Sequence, residues 1–137
     1  MKTNLPTKKF NQILNQAKVL AIKLLGKDIS NPKNFPETQG VYLVRKNSKI
    51  IYVGKGKNLK RRINSDHISG DKDGSTSTFR VSVHKKWKIP FGKEIRNWII
   101  QNCKFSYIEI PDADLTSLVE SLLVVVLRKS DVDLLNK

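Results

Sequence analysis

The stretch that decides the reading of this chain runs from Gly40 to Arg62. It begins Gly40-Val41-Tyr42-Leu43-Val44 and passes through Arg45-Lys46-Asn47-Ser48-Lys49 to Ile50-Ile51-Tyr52-Val53-Gly54. It ends Lys55-Gly56-Lys57-Asn58-Leu59-Lys60-Arg61-Arg62. Val41 to Val44 and Ile50 to Val53 are β-rich runs, and the five polar residues between them complete the pattern of a β-hairpin. After Gly54 and Gly56, Asn58 can cap a short basic helix through Ile63. Glycines at 54 and 56 allow a close backbone approach, a helix N-terminus favours anions, and guanidinium groups grip phosphate oxygens in pairs. Tyrosine hydroxyls can position or deprotonate a water when their environment permits. The Walker and dinucleotide-binding patterns are both excluded, because the glycine spacing fits neither.

The hairpin carries a geometric condition. Side chains alternate along a strand, so a regular hairpin with an even loop centred on Asn47-Ser48 sets Tyr42 opposite Val53 and turns Tyr52 to the other face. Both hydroxyls reach one site only if the loop is odd or a strand carries a bulge. Such an irregularity is expected here.

Working outward, Thr7 to Leu25 places Phe10, Ile13, Leu14, Ala17, Leu20, Ala21 and Leu24 at helical spacing, with Lys8, Lys9, Lys18 and Lys23 largely off that stripe. Thr7 can cap this helix after Pro6, and Gly26 can end it. It lacks the arginines and cleavage-like site of a transit peptide, so docking on the domain or contact with nucleic acid is expected. Asp28 to Thr38, with Pro32 and Pro36, reads as a linker, giving an N-terminal unit over 1–35 and a main domain over 36–137. Gly70 to Ser77 reads as a polar loop. Phe79 to Trp87 fits strand alternation and four-residue helical spacing alike, and a cap at Ser77 favours helix. Lys93 to Gln101 reads as a helix with Ile95, Trp98 and Ile99 inward, and Phe105 to Ile110 as a strand stopped by Pro111. Asp114 to Lys129 reads as a strongly apolar helix whose last turn carries Arg128 and Lys129. The expected fold class is α+β, with a small antiparallel sheet of about three strands flanked by helices and an extra N-terminal helix.

The 137 residues carry 26 Lys+Arg against 12 Asp+Glu, a formal charge of +14. Residues 1–62 hold 12 Lys and 3 Arg against only Asp28 and Glu37, a net +13, and residues 63–137 are nearly neutral at +1. A surface of this sign seeks polyanions, and its footprint is that of a nucleic-acid binder. The longest apolar run, Leu122 to Leu127, is too short to span a membrane. The single Cys103 excludes a disulfide framework and a cysteine zinc cluster, and fits a cytoplasmic setting.

Taken with these observations, the sequence resembles the GIY-YIG nuclease family. Gly40-Val41-Tyr42 supplies the first element of its motif and Tyr52-Val53-Gly54 the second. The continuation through Lys55 to Arg62 is similar to that in the nuclease domains of bacterial excision-repair incision subunits. The family's arginine falls ten residues after the second tyrosine, which selects Arg62. The resemblance spans roughly residues 36–137 and implies an endonuclease acting on DNA, double-stranded or branched, with one Mg²⁺ (or Mn²⁺) ion. The family's metal carboxylate falls on Glu120. The residues support that placement independently, since Glu120 is the sole carboxylate between Asp114 and Asp131 on an apolar helix.

The resemblance implies catalytic roles for Tyr42, Tyr52, Arg62 and Glu120. Tyr42 activates or orients water, Glu120 holds the metal, Arg62 stabilises charge on the phosphate, and Tyr52 contacts the phosphate or supports the water. Lys55, Lys57, Lys60, Arg61 and His67 are expected at the nucleic acid. The products are a 5′-phosphate and a 3′-hydroxyl. Three departures stand out. Gly56 replaces a small residue with a side chain. Many members carry a histidine four residues after the arginine, where this chain has Asp66 and then His67, so His67 serves only if the helix end is rearranged. A terminal asparagine falls on Asn136, somewhat farther from Glu120 than usual. The alternative reading is a module of the same fold that binds nucleic acid without cutting it. A targeting partner protein is also compatible with so small a domain.

Overall fold

The computed structural model describes residues 6–27, 35–69 and 77–136. The central sheet is built on the hairpin: β1 (Gly40–Lys46) pairs antiparallel with β2 (Lys49–Gly56) on one side and β3 (Cys103–Glu109) on the other, in the order β2-β1-β3. The turn is tighter than the five-residue connection read from the sequence, with Asn47 and Ser48 alone at its tip, at φ 51° and 67°. Positive φ at both central residues is the backbone of a type I′ turn, whose twist matches that of the strands it joins. Asn tolerates this conformation, while serine adopts it at a steric cost.

The expected irregularity is present. Lys46 pairs with Lys49 and Arg45 with Ile50, but Val44 pairs with Tyr52 and Tyr42 with Gly54, so β2 has one extra residue at Ile51. The result is visible in the packing. Ile51 and Tyr52 are consecutive, yet both join the same hydrophobic cluster as Tyr42 and Val44, while Val41, Leu43 and Val53 enter the other. The bulge thus rotates Tyr52 onto the Tyr42 face.

Helices cover both faces of the sheet. One face packs against α2 (Thr78–Trp87), α3 (Lys93–Asn102) and the helical segment Arg61–Ser69, through Leu59, Ile63, Phe79, Val83, Ile95 and Ile99. The other packs against α1 (Thr7–Leu25) and α4 (Ala113–Lys129), through Ala17, Ala21, Leu24, Val119, Leu123 and Leu127. This is the α+β arrangement expected from the sequence. Residues 28–34 of the linker and 70–76 of the polar loop lie outside the described residues.

Local chemistry sets the helix ends. Thr7 is the first helical residue and not the cap of α1; Pro6 holds the cap position without a side-chain bond, and the helix closes with the Gly26 N–H donating to the Ile22 carbonyl and the Lys27 N–H to that of Leu24. Ser77 caps α2, accepting the Arg80 N–H, so Phe79 to Trp87 is helix. Asp112, two residues before the expected start, caps α4 by accepting the Leu115 N–H.

Asn58 accepts the Arg61 N–H as expected, but the helix after it runs on past Ile63 and is wound as a π-helix over Arg61–Ser69. Hydrogen bonds from i to i+5 give each turn about one extra residue, a geometry rare in proteins and frequent at functional sites.

Replacing Ser48 with glycine removes the steric cost of its positive φ. Ser48→Gly is expected to raise stability by about 0.5–1 kcal/mol, read as an upward shift of the urea midpoint at unchanged m-value.

Candidate active site

The site grows from the bulged hairpin. Tyr42 points out of β1 over Gly54 on β2, so closely that a Cβ at position 54 would collide with the Tyr42 ring and hydroxyl. The glycine of the second motif element is therefore the floor on which the tyrosine of the first lies. Gly40 has a parallel reason: a Cβ there would strike the Ile108 carbonyl on β3. At Gly56 a Cβ would stand 3.0 Å from the Arg62 Cβ, so the glycine in place of a larger residue lets Arg62 approach the end of β2.

Tyr42 and Tyr52 lie with ring centroids 6.4 Å apart, and His67 and Phe79 complete an aromatic cluster around them. The Tyr42 hydroxyl is hydrogen-bonded to His67 Nε2, and His67 Nδ1 meets Ser77 Oγ at 2.5 Å. Tyr52 Oη meets Thr78 Oγ1 at 3.1 Å. Tyr42 also accepts a hydrogen bond from Arg62, whose guanidinium pairs with Asp66 at 3.2 Å. Arginine only donates, so the arrangement that uses every group has Arg62 donating to the Tyr42 oxygen and Tyr42 donating to His67 Nε2. His67 Nδ1–H then donates to Ser77, which also receives the Arg80 N–H.

His67 is thus placed differently from the expectation that put it at the nucleic acid. It is fully buried, and the π-helical turn is what carries it inward. In i→i+5 winding, residues five apart are axial neighbours, so Arg62 and His67 converge on Tyr42. Asp66, at the i+4 position, stays partly exposed and holds Arg62 from the side.

Electrostatics follow from this burial. Desolvation pushes the Tyr42 phenol well above its ordinary value, with Tyr52 adding to it and Arg62 opposing. Desolvation pushes His67 well below its ordinary value, helped by the positive charges of Arg62 and Arg80. Burial works against the Arg62 charge, but Tyr42 and Asp66 outweigh it and hold the guanidinium above its usual range. The hydroxyl and imidazole therefore rest neutral beside a fixed cation.

Glu120 comes from α4, on the opposite face of the sheet, and approaches around β2, which is an edge strand. It is half-buried. Desolvation raises its pKa, while Lys55 and Arg62 pull it back down. Lys55 donates to Ser117 Oγ at 2.7 Å, tying the end of β2 to the turn of α4 that precedes Glu120. A half-desolvated carboxylate facing the Lys55 and Arg62 cations suits a hard cation that takes oxygen ligands and completes its shell with water. Among the described residues no group of three or more His, Cys, Asp or Glu side chains converges on a metal position, so Glu120 would be the main protein donor.

The remaining expected residues divide. Lys55, Lys57, Lys60 and Arg61 are exposed along the run that leaves β2. Asn136 lies elsewhere: its amide is spent on the free edge of β2, accepting the Val53 N–H at 3.0 Å and donating to the Val53 carbonyl at 2.7 Å. Sequence reasoning missed Ser77 as a histidine partner, Thr78, Asp66 and Ser117. The i,i+4 spacing of Arg62 and Asp66 and the one-turn spacing of Ser117 and Glu120 were signals for two of them.

The GIY-YIG catalytic domain family matches residues 38–109, more than half of the chain. The chain belongs to the GIY-YIG family. The matched family is that of a catalytic domain. Among curated relatives, it is 62% identical over 32 residues to UvrABC system protein C of Fusobacterium nucleatum, a match covering 23% of this chain and 5% of that protein. It is 47% identical over 47 residues to UvrABC system protein C of Bdellovibrio bacteriovorus, covering 34% of this chain and 7% of that protein. The matched stretch is thus a small fraction of those relatives' length. Among solved structures, the GIY-YIG N-terminal endonuclease domain of UvrC from Thermotoga maritima, bound to magnesium, aligns with TM-score 0.46 and 20% identity, over 78% of this chain and 92% of that one.

Two outcomes are expected. Gly54→Ala forces the Tyr42 ring off its floor and should destabilise the fold by about 1–3 kcal/mol by thermal melting, whereas Gly26→Ala, whose added Cβ meets nothing closer than 3.7 Å, should be near neutral. His67 is held below its unfolded value, so the unfolded chain takes up the extra proton as pH falls. The contribution is fully present above about pH 6.5 and is lost below it, at up to about 1.4 kcal/mol per pH unit. Denaturant titrations between pH 5 and 8 (about one unit apart) should show this slope in the wild type and lose it in His67→Gln.

Proposed function

We propose that this chain cuts DNA phosphodiester bonds with one Mg²⁺ or Mn²⁺ ion, leaving a 5′-phosphate and a 3′-hydroxyl. The observation that carries the reading is the convergence of Tyr42, His67 and Arg62 in a hydrogen-bonded set facing Glu120 and Lys55. Glu120 would hold the ion, which supplies Lewis-acid polarisation of the phosphate and of the leaving oxygen. Arg62 stabilises charge on the phosphate as it builds, using the face of the guanidinium not engaged by Asp66. Lys55, Lys57, Lys60 and Arg61 hold the strand by its phosphates.

The role of Tyr42 is constrained by its burial. Its hydroxyl has no solvent access, and Arg62 lies over it. In this reading an incoming phosphate draws Arg62 toward itself and uncovers the hydroxyl to the attacking water. A phenol with a raised pKa is a poor base alone. Its hydrogen bond to a neutral imidazole gives the proton a destination: Tyr42 accepts from water at Oη while its own proton passes to His67 Nε2. Tyr52, tied to Thr78, packs against this set and keeps its geometry.

The sealed hydroxyl is also the one observation that favours the second reading, a module that binds DNA without cutting it. The two separate on supercoiled, linear, branched and single-stranded DNA with Mg²⁺, Mn²⁺ or EDTA. Cleavage is expected with either ion and not with EDTA. Glu120→Ala and Arg62→Ala should each lower the rate by at least about 100-fold with binding retained, and Tyr42→Phe should do the same. Binding without cleavage of every substrate by the wild type transfers the assignment to the binding module.

A further inference from the structure

Outside the hairpin site, the most distinctive surface is apolar. Among the described residues eight large hydrophobic side chains are exposed, and seven of them lie on α1 and α4. The C-terminal half of α1 seats Ala17, Ala21 and Leu24 on the domain, whereas Phe10, Ile13 and Leu14 in its first half remain open to solvent. The apolar stripe of α1 therefore extends beyond the part seated on the domain.

Three of the exposed side chains, Leu14, Ile22 and Val126, line a groove of about 430 Å³. One wall is α1, contributing Leu14, Lys18, Ile22 and Leu25 at one-turn intervals, and the other is α4, contributing Leu122 and Val126. Ala21 and Leu123, both buried, make the floor. From Leu14 to Leu25 the groove follows α1 for about 16 Å, or three helical turns. A concave apolar trough of that length between two helices is the receptor half of helix-in-groove recognition.

Charge selects the occupant. α1 carries Lys8, Lys9, Lys18 and Lys23 and no acid, and Lys18 stands in the wall itself. At the C-terminal end of α4 are Arg128 and Lys129, while its acids, Asp114 and Glu120, belong to its first half. A second copy of this chain would set lysines against lysines. A bilayer surface, being flat, would leave the buried floor unfilled. We propose that the α1–α4 groove docks an amphipathic helix of a partner protein, with apolar residues facing Leu14, Ile22 and Val126 and carboxylates flanking them. The groove is separate from Tyr42, Arg62 and Glu120, and its occupation requires nothing of the cleavage reading. It offers a domain with little surface for sequence recognition a means of being delivered to its substrate by another protein.

The test uses the full chain, labelled with ¹⁵N, and a helix-stapled peptide of about four turns with leucine on one face and glutamate on the rest. Titration to millimolar concentration should give saturable shifts confined to α1 and α4. The same peptide with lysine for glutamate should bind at least about tenfold more weakly. Ile22→Glu and Val126→Glu, both at exposed positions, should each weaken binding about tenfold or more with unchanged melting temperature. DNA cleavage by these variants should equal that of the wild type, which keeps this test distinct from that of the active site. No shifts, equal binding of both peptides, concentration-dependent dimerisation abolished by Ile22→Glu, or phosphatidylglycerol vesicle binding abolished by it would each overturn the proposal.

Discussion

The constraint on which this structure turns is the contact between the Tyr42 ring and the bare backbone of Gly54. A side chain at 54 is sterically forbidden, so an aromatic ring on the central strand can lie across the edge strand and direct its hydroxyl at what lies beyond. The remaining geometry answers to that contact. The bulge at Ile51 sets Tyr42 opposite Gly54 instead of Val53 and turns Tyr52 to the same side. Gly40 lets β3 close against β1, so the strand bearing Tyr42 is held from both sides. Gly56 lets Arg62 come up to the ring's far end. Three glycines in seventeen residues thus serve three close approaches, each a matter of volume and not of backbone conformation.

A buried hydroxyl needs partners, and the fold supplies them from an unusual helix. Ordinary α-helical winding after Asn58 would have aligned Asp66 with Arg62 and left His67 a residue out of step. π-helical winding over Arg61–Ser69 absorbs that residue and brings the imidazole beneath Tyr42. A π-helix forgoes good backbone hydrogen-bond geometry, and here the compensation is visible: a buried polar chain from Arg62 through Tyr42 and His67 to Ser77. Ser77 serves twice, capping α2 through the Arg80 N–H and fixing the imidazole. Such networks are stable when every member has a partner, and their low-dielectric setting is why the hydroxyl and imidazole stay neutral.

Much of this was legible in the sequence, for identifiable reasons. The strands and helices announce themselves by periodicity and by their caps, since Asn58, Ser77 and Gly26 act where their chemistry allows. The bulge was legible as a requirement: two tyrosines on an even hairpin cannot share a face without one. The π-helix was not, because α and π winding draw on the same residues and the choice depends on tertiary contacts with Tyr42 and the sheet. His67 was misplaced for the same reason, as its neighbours Asp66 and Ser65 suggest a surface turn. Glu120 was legible as a lone acid on an apolar helix. Its route around the edge of β2 required the sheet order, and the Lys55–Ser117 link that steadies the approach spans 62 residues.

The distribution of charge acquires a sharper meaning from this layout. The cations that could grip a nucleic-acid backbone, Lys55, Lys57, Lys60 and Arg61, are exposed within one short run leaving β2, whereas Arg62 in the same run is turned inward to Tyr42 and Asp66. One arginine is thereby separated from its neighbours in role by its direction alone. The lysines of α1 stand apart from that run, beside an apolar groove on the opposite face of the sheet. Among the described residues, the lysines of α1 and the exposed cations of the run leaving β2 therefore form two positive surfaces and not one. Because counterion release rewards each cation that meets a phosphate, a single wrapped polyanion would have to round the sheet to use both. Two surfaces of different chemistry, one purely cationic and one cationic around an apolar trough, are better matched by two different partners.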